Sequence, residues 1–379
     1  HRRHAGQMKY PFRALFFGLS LFLAAFVPAQ VQEVDDSVHW VALHDLRVEG
    51  QGWSDLESPF DRLPLRAKGT VSDAVWGHSQ DSAGICARFT TDATKILCRW
   101  GLRSGELSMA HMPATGVSGV DLFVRDGEGA WRWLACPRPD KQEMNAVLIA
   151  GMDPGEREYL LYMPLYNGVS HCEVGVPKGR SLEPAAERGK GHRRPIVFYG
   201  TSITHGACAS RPGTCHTALL GRRFDRPVIN LGFSGSGKME TTVGQFLCEL
   251  DPAVFVIDCL PNMNGKMVAD RIEPLVKQLR VSHPKTPILL VEDRTYGNAF
   301  LLPSKRAHHA ANRKALTDGL ERLRKQKVRG LTLVKGASLL SDGDTVDGSH
   351  PSDLGFFHQA EVLAEALGPL LEVERSRRR

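Results

Sequence analysis

The chain has 379 residues, of which 42% are hydrophobic and 24% are charged, a composition that excludes intrinsically disordered and low-complexity proteins. Its 48 Lys and Arg against 42 Asp and Glu give a net charge of only +6, which gives little support for a nucleic-acid-binding protein. Because the length exceeds what one hydrophobic core usually serves, two domains are expected.

The N-terminal segment predicts export. Lys9 and Arg13 precede an apolar run at 14–26, and Val27-Pro28-Ala29 supplies small residues of the kind that signal peptidase requires. Residues 1–29 are therefore interpreted as a signal peptide, and the protein is expected to be secreted or periplasmic. An uncleaved N-terminal anchor is the alternative, although the apolar run is short for a membrane span.

Much of the positive charge lies at the two ends of the chain. The signal segment contains four basic residues and no acid, so the mature chain keeps 48 less 4, or 44, basic residues against 42 acidic ones. Residues 373–379 are interpreted as a basic tail exposed to solvent. A nearly neutral mature chain predicts no nucleic-acid partner.

The first third of the chain is rich in short runs of strand-forming residues, and it holds all six tryptophans. Segments 84–89, 120–124, 131–134 and 158–162 alternate or cluster apolar residues over strand lengths, with Gly and Asp turns between them. The pattern predicts an all-β, jelly-roll-like sandwich over residues 34–176. The tryptophans are expected to fill its core or a domain interface, with a sugar-stacking surface as the alternative.

The composition changes twice after the predicted sandwich. Residues 177–194 are rich in Gly, Pro, Lys and Arg, lack an apolar period and are interpreted as a linker. Beyond them, strand-like runs alternate with amphipathic helical stretches; the runs are 196–199, 228–231, 254–257, 288–291 and 331–334. This alternation predicts a three-layer α/β domain over residues 195–372 with a flavodoxin-like, five-stranded parallel sheet.

Polar residues follow the predicted strands at the sheet edge where parallel sheets collect reactive groups. Ser202 follows the first strand, Gly235 the second and Asn262 the third. A free serine hydroxyl is a weak nucleophile, so it needs a base; His350, with Asp347 three residues before it, supplies the base and a carboxylate to orient it. The backbone N–H groups of Ser202 and Gly235 and the Asn262 amide are candidate donors for an oxyanion. The pattern predicts a serine hydrolase.

The chain from about residue 195 onward resembles the SGNH (GDSL-type) hydrolase family, whose blocks carry Ser, Gly, Asn and Asp-x-x-His in this order. The resemblance implies a catalytic triad of Ser202, His350 and Asp347 and an oxyanion hole formed by Ser202, Gly235 and Asn262. Two blocks depart from the family pattern without losing a catalytic atom. Gly200-Thr201-Ser202 replaces Gly-Asp-Ser, and Leu260-Pro261-Asn262-Met263 replaces Gly-x-Asn-Asp.

These departures point to a subgroup of two-domain bacterial esterases. In that subgroup a Gly-Thr-Ser-Ile-Thr block precedes an Ala-Ser-Arg-Pro-Gly loop, here residues 209–213, and the N-terminal sandwich carries a Gly-x-Asp-Leu-Tyr signature. The signature is matched by residues 119–123, with Phe123 in place of Tyr. An α/β-hydrolase is disfavoured, because Thr204 stands where the nucleophile elbow of that fold needs Gly.

Thr201, His205 and Arg211 are possible substrate contacts, although each also has a structural interpretation. Hydroxyls in a turn commonly bond the local backbone, His205 is as readily a buried structural residue, and Arg211 is as readily a residue that fixes its own loop. No metal and no cofactor is expected, because five histidines share no ligand spacing with cysteines or acids: His111, His171, His192, His283 and His358.

Eight cysteines in an exported chain permit disulfides, but their spacing is irregular. Cys208 and Cys215, which flank a compact loop, are the local pair to test, and two buried free thiols are the equally supported alternative.

The resemblance implies a secreted serine esterase that hydrolyses short acyl esters, above all acetyl esters, on carbohydrates through an acyl-enzyme. The expected partner is an acylated carbohydrate or another small ester, with no stable membrane span after signal cleavage. Two alternatives stay open: a lipase, thioesterase or platelet-activating-factor-acetylhydrolase-like esterase on the same site, and an inactive carbohydrate-binding protein.

Overall fold

The structure, a computed structural model, describes residues 37–376, with side chains described as far as residue 372. The predicted signal peptide, residues 1–29, lies outside the described residues, and so does the end of the predicted basic tail, 377–379. None of the helices in the described part is both long and apolar enough to cross a membrane.

The N-terminal half is an antiparallel β-sandwich, which confirms the predicted fold class. Its strands are β1 Val38–Ala42, β2 Arg47–Glu49, β3 Cys86–Thr91, β4 Lys95–Leu102, β5 Asp121–Arg125, β6 Trp131–Ala135, β7 Glu143–Ala150, β8 Arg157–Tyr162, β9 Val169–Pro177 and β10 Glu183–Pro184. Its helices are α1 Asp73–Ser79 and α2 Ala114–Val117. One sheet has the order β1-β9-β4-β7; the other has the order β10-β3-β8-β5-β6, with β2 paired to β3.

The sandwich core lies between these sheets because their facing sides are apolar. Phe89 of β3 stacks on Tyr159 of β8 with ring centroids 5.4 Å apart. Trp100 is fully buried, and its indole N–H donates to the Ser118 carbonyl at 3.2 Å, as a buried indole requires. Trp133 differs, because 52% of it is exposed. The tryptophans therefore do not share one role.

The segment interpreted as a linker is packed against both halves of the protein. Its strand β10 pairs with β3 of the sandwich. The Arg188 side chain is 6% exposed and pairs with Glu49 of the sandwich at 2.8 Å and with Asp225 of the second half at 2.7 Å. A loose tether would leave such an arginine in solvent, so this segment is a fixed connection.

The C-terminal half is a three-layer α/β domain, as predicted. Its strands are β11 Ile196–Gly200, β12 Val228–Gly232, β13 Val254–Asp258, β14 Ile288–Val291 and β15 Leu331–Val334. Its helices are α3 Ser202–His205, α4 His216–Arg223, α5 Thr241–Leu247, α6 Gly265–Ser282, α7 Pro303–Lys325 and α8 Asp353–Ser376. The strands form one parallel sheet in the order β12-β11-β13-β14-β15.

Helices cover both faces of this sheet, and for that reason its inner strands are apolar at consecutive positions. Apolar side chains of α5, α6 and α7 pack on one face, and those of α4 and α8 pack on the other. Helix α6 begins where Asn264 accepts a hydrogen bond from the Met267 N–H at 2.9 Å. It then buries Val268, Ile272, Leu275, Val276 and Leu279, the three- and four-residue spacing of one helix face.

The strand order places a crevice at the carboxyl end of β11. The chain runs from β11 to β12 on one side of it and from there to β13 on the other side. Parallel sheets leave a ligand-binding crevice at such a switch point. Ser202 is the second residue after β11, so the fold brings it to this crevice.

Candidate active site

Ser202 lies at a tight turn between β11 and the short helix α3. Thr201 is the N-cap of that helix, and its hydroxyl accepts a hydrogen bond from the Ile203 N–H at 3.3 Å. Gly200 is needed for the close approach of the chain to itself, since a Cβ there would lie 2.1 Å from the Thr204 hydroxyl oxygen. Ser202 is 7% exposed, so its neighbours cover most of its side chain.

A continuous chain of hydrogen bonds joins Ser202, His350 and Asp347. Ser202 Oγ lies 2.8 Å from His350 Nε2, and His350 Nδ1 lies 2.7 Å from Asp347 Oδ2. An ionised carboxylate only accepts hydrogen bonds, so Nδ1 carries the ring proton. Nε2 is then the acceptor for the serine hydroxyl. The structure thus brings together the three residues predicted to form the triad.

Asp347 is held by the turn that also carries His350. Its Oδ1 accepts hydrogen bonds from the Ser349 N–H at 3.0 Å and the His350 N–H at 2.8 Å. Partial burial opposes ionisation of Asp347, but these bonds and the His350 ring outweigh it, and the pKa of Asp347 is lowered below its usual value. Asp347 therefore stays ionised at neutral pH.

The three predicted oxyanion donors lie on loops at the same sheet edge. Gly235 has φ 63°, a left-handed conformation that suits glycine, in the loop after β12. Asn262 follows β13, and its amide donates to the carbonyl of Ser236, which joins the two loops. In the described chain, the N–H groups of Ser202 and Gly235 donate to no protein acceptor. Both N–H groups are thus available to a ligand.

A fully buried ion pair supports the turn from below. Arg294, after β14, donates two hydrogen bonds to the carboxylate of Asp258 at the end of β13, at 2.6 and 2.7 Å. The same carboxylate accepts from the Thr204 hydroxyl at 3.3 Å. Because Thr204 belongs to α3, the pair connects two strand ends with the helix that begins at Ser202.

His216, the first residue of α4, is buried between two phenylalanines. Its ring lies parallel to that of Phe356 and edge-on to that of Phe198, with centroids 5.6 Å apart in both cases. Neither ring nitrogen has a hydrogen-bond partner in the described structure. Burial, aided by the nearby charge of Arg294 and opposed by that of Asp258, lowers the pKa of His216 to about 3.

Acid should therefore destabilise the protein through His216. The folded-state pKa is depressed, so the unfolded chain binds the proton more readily, and the stabilisation present above about pH 6.5 is lost as the pH falls towards the folded value. His216→Phe keeps an aromatic ring but cannot bind a proton. Between about pH 7 and pH 5 we expect its free energy of unfolding to fall by roughly 2 kcal/mol less than that of the wild type. Urea unfolding of both proteins at each pH measures this difference, and parallel pH dependences would contradict it.

Two of the predicted substrate contacts lie inside the protein. Thr201 and His205 are both 0% exposed. The His205 ring stacks on Tyr166 with centroids 3.9 Å apart, and the Arg62 guanidinium lies 3.3 Å from its Nε2. Burial, together with the charge of Arg62, lowers the pKa of His205 well below its usual value. This packing argues against substrate contact by either side chain.

Arg211 fixes its own loop to the sandwich. Its Nη1 donates to Asp121 Oδ2 at 2.8 Å, and the same oxygen accepts from the Gly213 N–H at 2.8 Å. The Trp133 indole N–H donates to the other oxygen of Asp121 at 2.9 Å. Asp121 lies in the 119–123 segment that resembles the Gly-x-Asp-Leu-Tyr signature, so that signature and the loop of Arg211 form one contact. These bonds support the interpretation of Arg211 as a residue that fixes its own loop.

Two residues of the sandwich reach the active site without having been predicted to do so. The Tyr166 hydroxyl donates to the Ser202 carbonyl at 3.3 Å. The exposed ring of His111 lies with its centroid 6.1 Å from that of His350. Neither residue belongs to a motif, and both contacts depend on how the two halves of the protein dock. A single sequence therefore carried no signal for them.

All eight cysteines are free in the structure, Cys208 and Cys215 included. The Cys208 sulfur and ligand atoms of Asp347 and His350 lie within 4.8 Å of one another. Burial, with the nearby charge of Asp347, raises the pKa of the Cys208 thiol to about 12. The two other side chains already bond to each other, and His350 bonds to Ser202, so their ligand atoms are used within the proposed triad.

Comparisons with known proteins agree with the two-domain architecture. Residues 193–368 match the GDSL-like Lipase/Acylhydrolase family, and residues 38–182 match the GxDLY family, the N-terminus of Esterase_SGNH_hydro-type proteins. No match is found among curated proteins.

Solved structures share this architecture at several levels of sequence identity. A GDSL-like lipase from Bacteroides ovatus is 30% identical, with a TM-score of 0.83 over 88% of this chain and 98% of its own. The salicylyl-acyltransferase SsfX3 of a tetracycline biosynthetic pathway is 19% identical, with a TM-score of 0.70 over 88% and 98%. A family two carbohydrate esterase from Cellvibrio japonicus is 14% identical, with a TM-score of 0.56 over 89% and 98%.

Proposed function

Because the chain belongs to the GDSL-like lipase/acylhydrolase family and is an ester-hydrolysing enzyme, we propose that Ser202, His350 and Asp347 are its catalytic triad. The observation that carries this proposal is the unbroken hydrogen-bonded chain from the serine hydroxyl to the carboxylate. Each of its bonds has the length that proton transfer between these groups requires.

The geometry supports a two-step acyl transfer. Ser202 Oγ attacks the ester carbonyl while its proton passes to His350 Nε2, and Asp347 stabilises the imidazolium that results. His350 then protonates the departing alcohol, which leaves an acyl-enzyme. A water molecule attacks that acyl group and gives a proton to His350, which passes it to Ser202 Oγ as the C–O bond to the serine breaks and the acid is released.

The negative oxygen formed in each step would lie among the N–H groups of Ser202 and Gly235 and the amide of Asn262. The Asn262 amide has two hydrogens, and the carbonyl of Ser236 accepts only one of them. The other hydrogen remains for the oxyanion. The bond to Ser236 thus orients the amide before the substrate arrives, which is the preorganisation that such a site needs.

We further propose that the enzyme is exported and removes short acyl groups, above all acetyl, from carbohydrates. The signal-like segment 1–29 supports export. The fold shared with family two carbohydrate esterases and the presence of a β-sandwich beside the hydrolase domain support the carbohydrate. This part of the proposal rests on analogy between folds.

One surface feature favours a second candidate, an esterase of longer acyl chains or lipids. Phe300 and Leu301 are 73% and 72% exposed. They lie in the loop between β14 and α7, and the N–H of Gly297 in this loop donates to the carbonyl of Gly348 beside the triad at 2.8 Å. Exposed apolar side chains in a loop that contacts the catalytic turn can bind an acyl chain.

A profile of acyl-chain length distinguishes these two candidates. We expect kcat/KM for p-nitrophenyl acetate to exceed that for the octanoate by about ten-fold or more, because a site for short acyl groups does not accommodate the added methylenes of octanoate. Acetate release from acetylated plant, algal and bacterial polysaccharides then tests whether the substrate is a carbohydrate and which one it is. A preference for octanoate would favour the second candidate, and failure to release acetate from any polysaccharide would contradict the first.

A further inference from the structure

A groove of about 510 Å³ opens beside the proposed oxyanion hole. The loop after β13 forms one wall with Asn262 and Asn264, and the start of α7 forms the other with Lys305 and His308. Tyr296 lies between them, in the loop that follows β14. Because Asn262 lines the groove, a molecule bound there lies beside one of the proposed oxyanion donors.

Tyr296 also connects the groove with the catalytic turn. The N–H of Gly297, the next residue, donates to the Gly348 carbonyl in the turn that carries His350 at 2.8 Å, and burial raises the pKa of Tyr296 above its usual value. On its other side, its ring lies 5.0 Å from the Lys305 ammonium. Tyr296 therefore lies between Lys305 and the loop that contacts the catalytic turn.

Three polar side chains of this groove have hydrogen-bond donors left free for a ligand. Asn264 uses its side-chain oxygen to cap α6, which leaves its NH2 group for a ligand. His308 Nε2 lies 3.2 Å from the amide of Asn312, which leaves Nδ1. Lys305 only donates. No carboxylate lines the described groove, so nothing in it competes with an anionic ligand.

The Lys305 ammonium contacts the Tyr296 ring but has no counter-charge in the described structure. No carboxylate of the described chain forms an ion pair with it, whereas Lys314 of the same helix pairs with Asp318 at 2.6 Å. Lys305 lies in the first turn of α7, where a positive charge opposes the helix dipole. A residue whose charge opposes the helix dipole, with no carboxylate to offset it, is typical of a binding site.

We propose that this groove binds a negatively charged group on the sugar that carries the ester, with Lys305 as the residue that selects it. The inference rests on the proposed esterase function and narrows its substrates to acidic carbohydrates. The shared chemistry is an anion on the ring, either the carboxylate of a hexuronic acid or a sulfate on a hexose. Both accept hydrogen bonds from ammonium, amide and imidazole groups.

The test compares three mono-acetylated methyl glycosides: a neutral hexoside, the matching hexuronide and the hexoside 6-sulfate. We expect the wild type to prefer one or both charged substrates and to lose that preference in added salt. In Lys305→Met, the ratio of kcat/KM for the preferred charged substrate to that for the hexoside should fall about ten-fold. Lys305→Arg keeps the charge and should retain most of the ratio. Preference for the hexuronide or the sulfate identifies the anion.

Lys314→Met is the matched control, since it removes the same charge from an exposed position of the same helix and should leave the ratio unchanged. Equal kcat/KM for charged and neutral glycosides, unaltered in Lys305→Met, would overturn the subsite while leaving the esterase proposal intact. Absence of hydrolysis of every glycoside and of p-nitrophenyl acetate would instead overturn the esterase proposal itself.

Discussion

Ser202→Ala should lower kcat for p-nitrophenyl acetate by about ten-thousand-fold or more, the cost of losing the nucleophile from a triad that works as a unit. The substitution removes one oxygen from a 7% exposed side chain and leaves the bond from His350 to Asp347 in place. The fold should be unaffected, so thermal unfolding and circular dichroism should match those of the wild type.

Covalent labelling tests whether Ser202 is the nucleophile without measuring turnover. A fluorophosphonate should add one adduct to the wild type, visible by mass spectrometry, and none to Ser202→Ala. Ser338→Ala, an exposed serine outside the active site, is the matched control and should behave as the wild type. An unlabelled wild-type protein that binds a glycan would favour the inactive carbohydrate-binding alternative. Unchanged turnover in Ser202→Ala would remove this serine from the mechanism.

Arg294→Met should lower the free energy of unfolding by about 3 to 5 kcal/mol. It leaves the Asp258 carboxylate buried, with only the Thr204 hydroxyl to bond it. The penalty comes from an uncompensated buried charge more than from the lost bonds. Urea unfolding monitored by tryptophan fluorescence measures it.

Two further variants separate this explanation from a general sensitivity to substitution. Lys314→Met breaks an exposed pair and should change the urea midpoint little, because such pairs contribute weakly. Combining Arg294→Met with Asp258→Leu removes both charges and should recover part of the loss. If the double variant is less stable than Arg294→Met, the unpaired charge is not the cause.

The α/β domain was largely predictable because four of its five strands, β11 to β14, are buried at every position. Strands with two buried faces appear in the sequence as continuous apolar runs, and each of the five runs is a strand within one or two residues of the expected position. The order of Ser202, Gly235, Asn262 and the final Asp-x-x-His turn then specified which loops meet. Chemistry carried by short motifs on a regular sheet edge is what a single sequence encodes best.

The contacts between the two halves were not predictable in the same way. Arg188 was assigned to a linker because its neighbours are polar and lack a period, yet its side chain pairs with partners from both domains. Thr201 and His205 were considered as substrate contacts because they adjoin the nucleophile in sequence. The His205 ring is covered by Tyr166 and Arg62, residues far away along the chain. Such long-range packing leaves no local periodicity to detect.

The bond between Asp121 and the loop of Arg211 has a consequence for protein engineering. A β-sandwich in front of a hydrolase is usually treated as an exchangeable module, to be removed or replaced by fusion. Here the sandwich supplies the acceptor for Arg211 and for the Gly213 N–H, and its Tyr166 bonds the carbonyl of Ser202. A chimera that keeps only the hydrolase half would lose these contacts of the sandwich with the turn that carries the nucleophile. The two halves should therefore be recombined only as a pair.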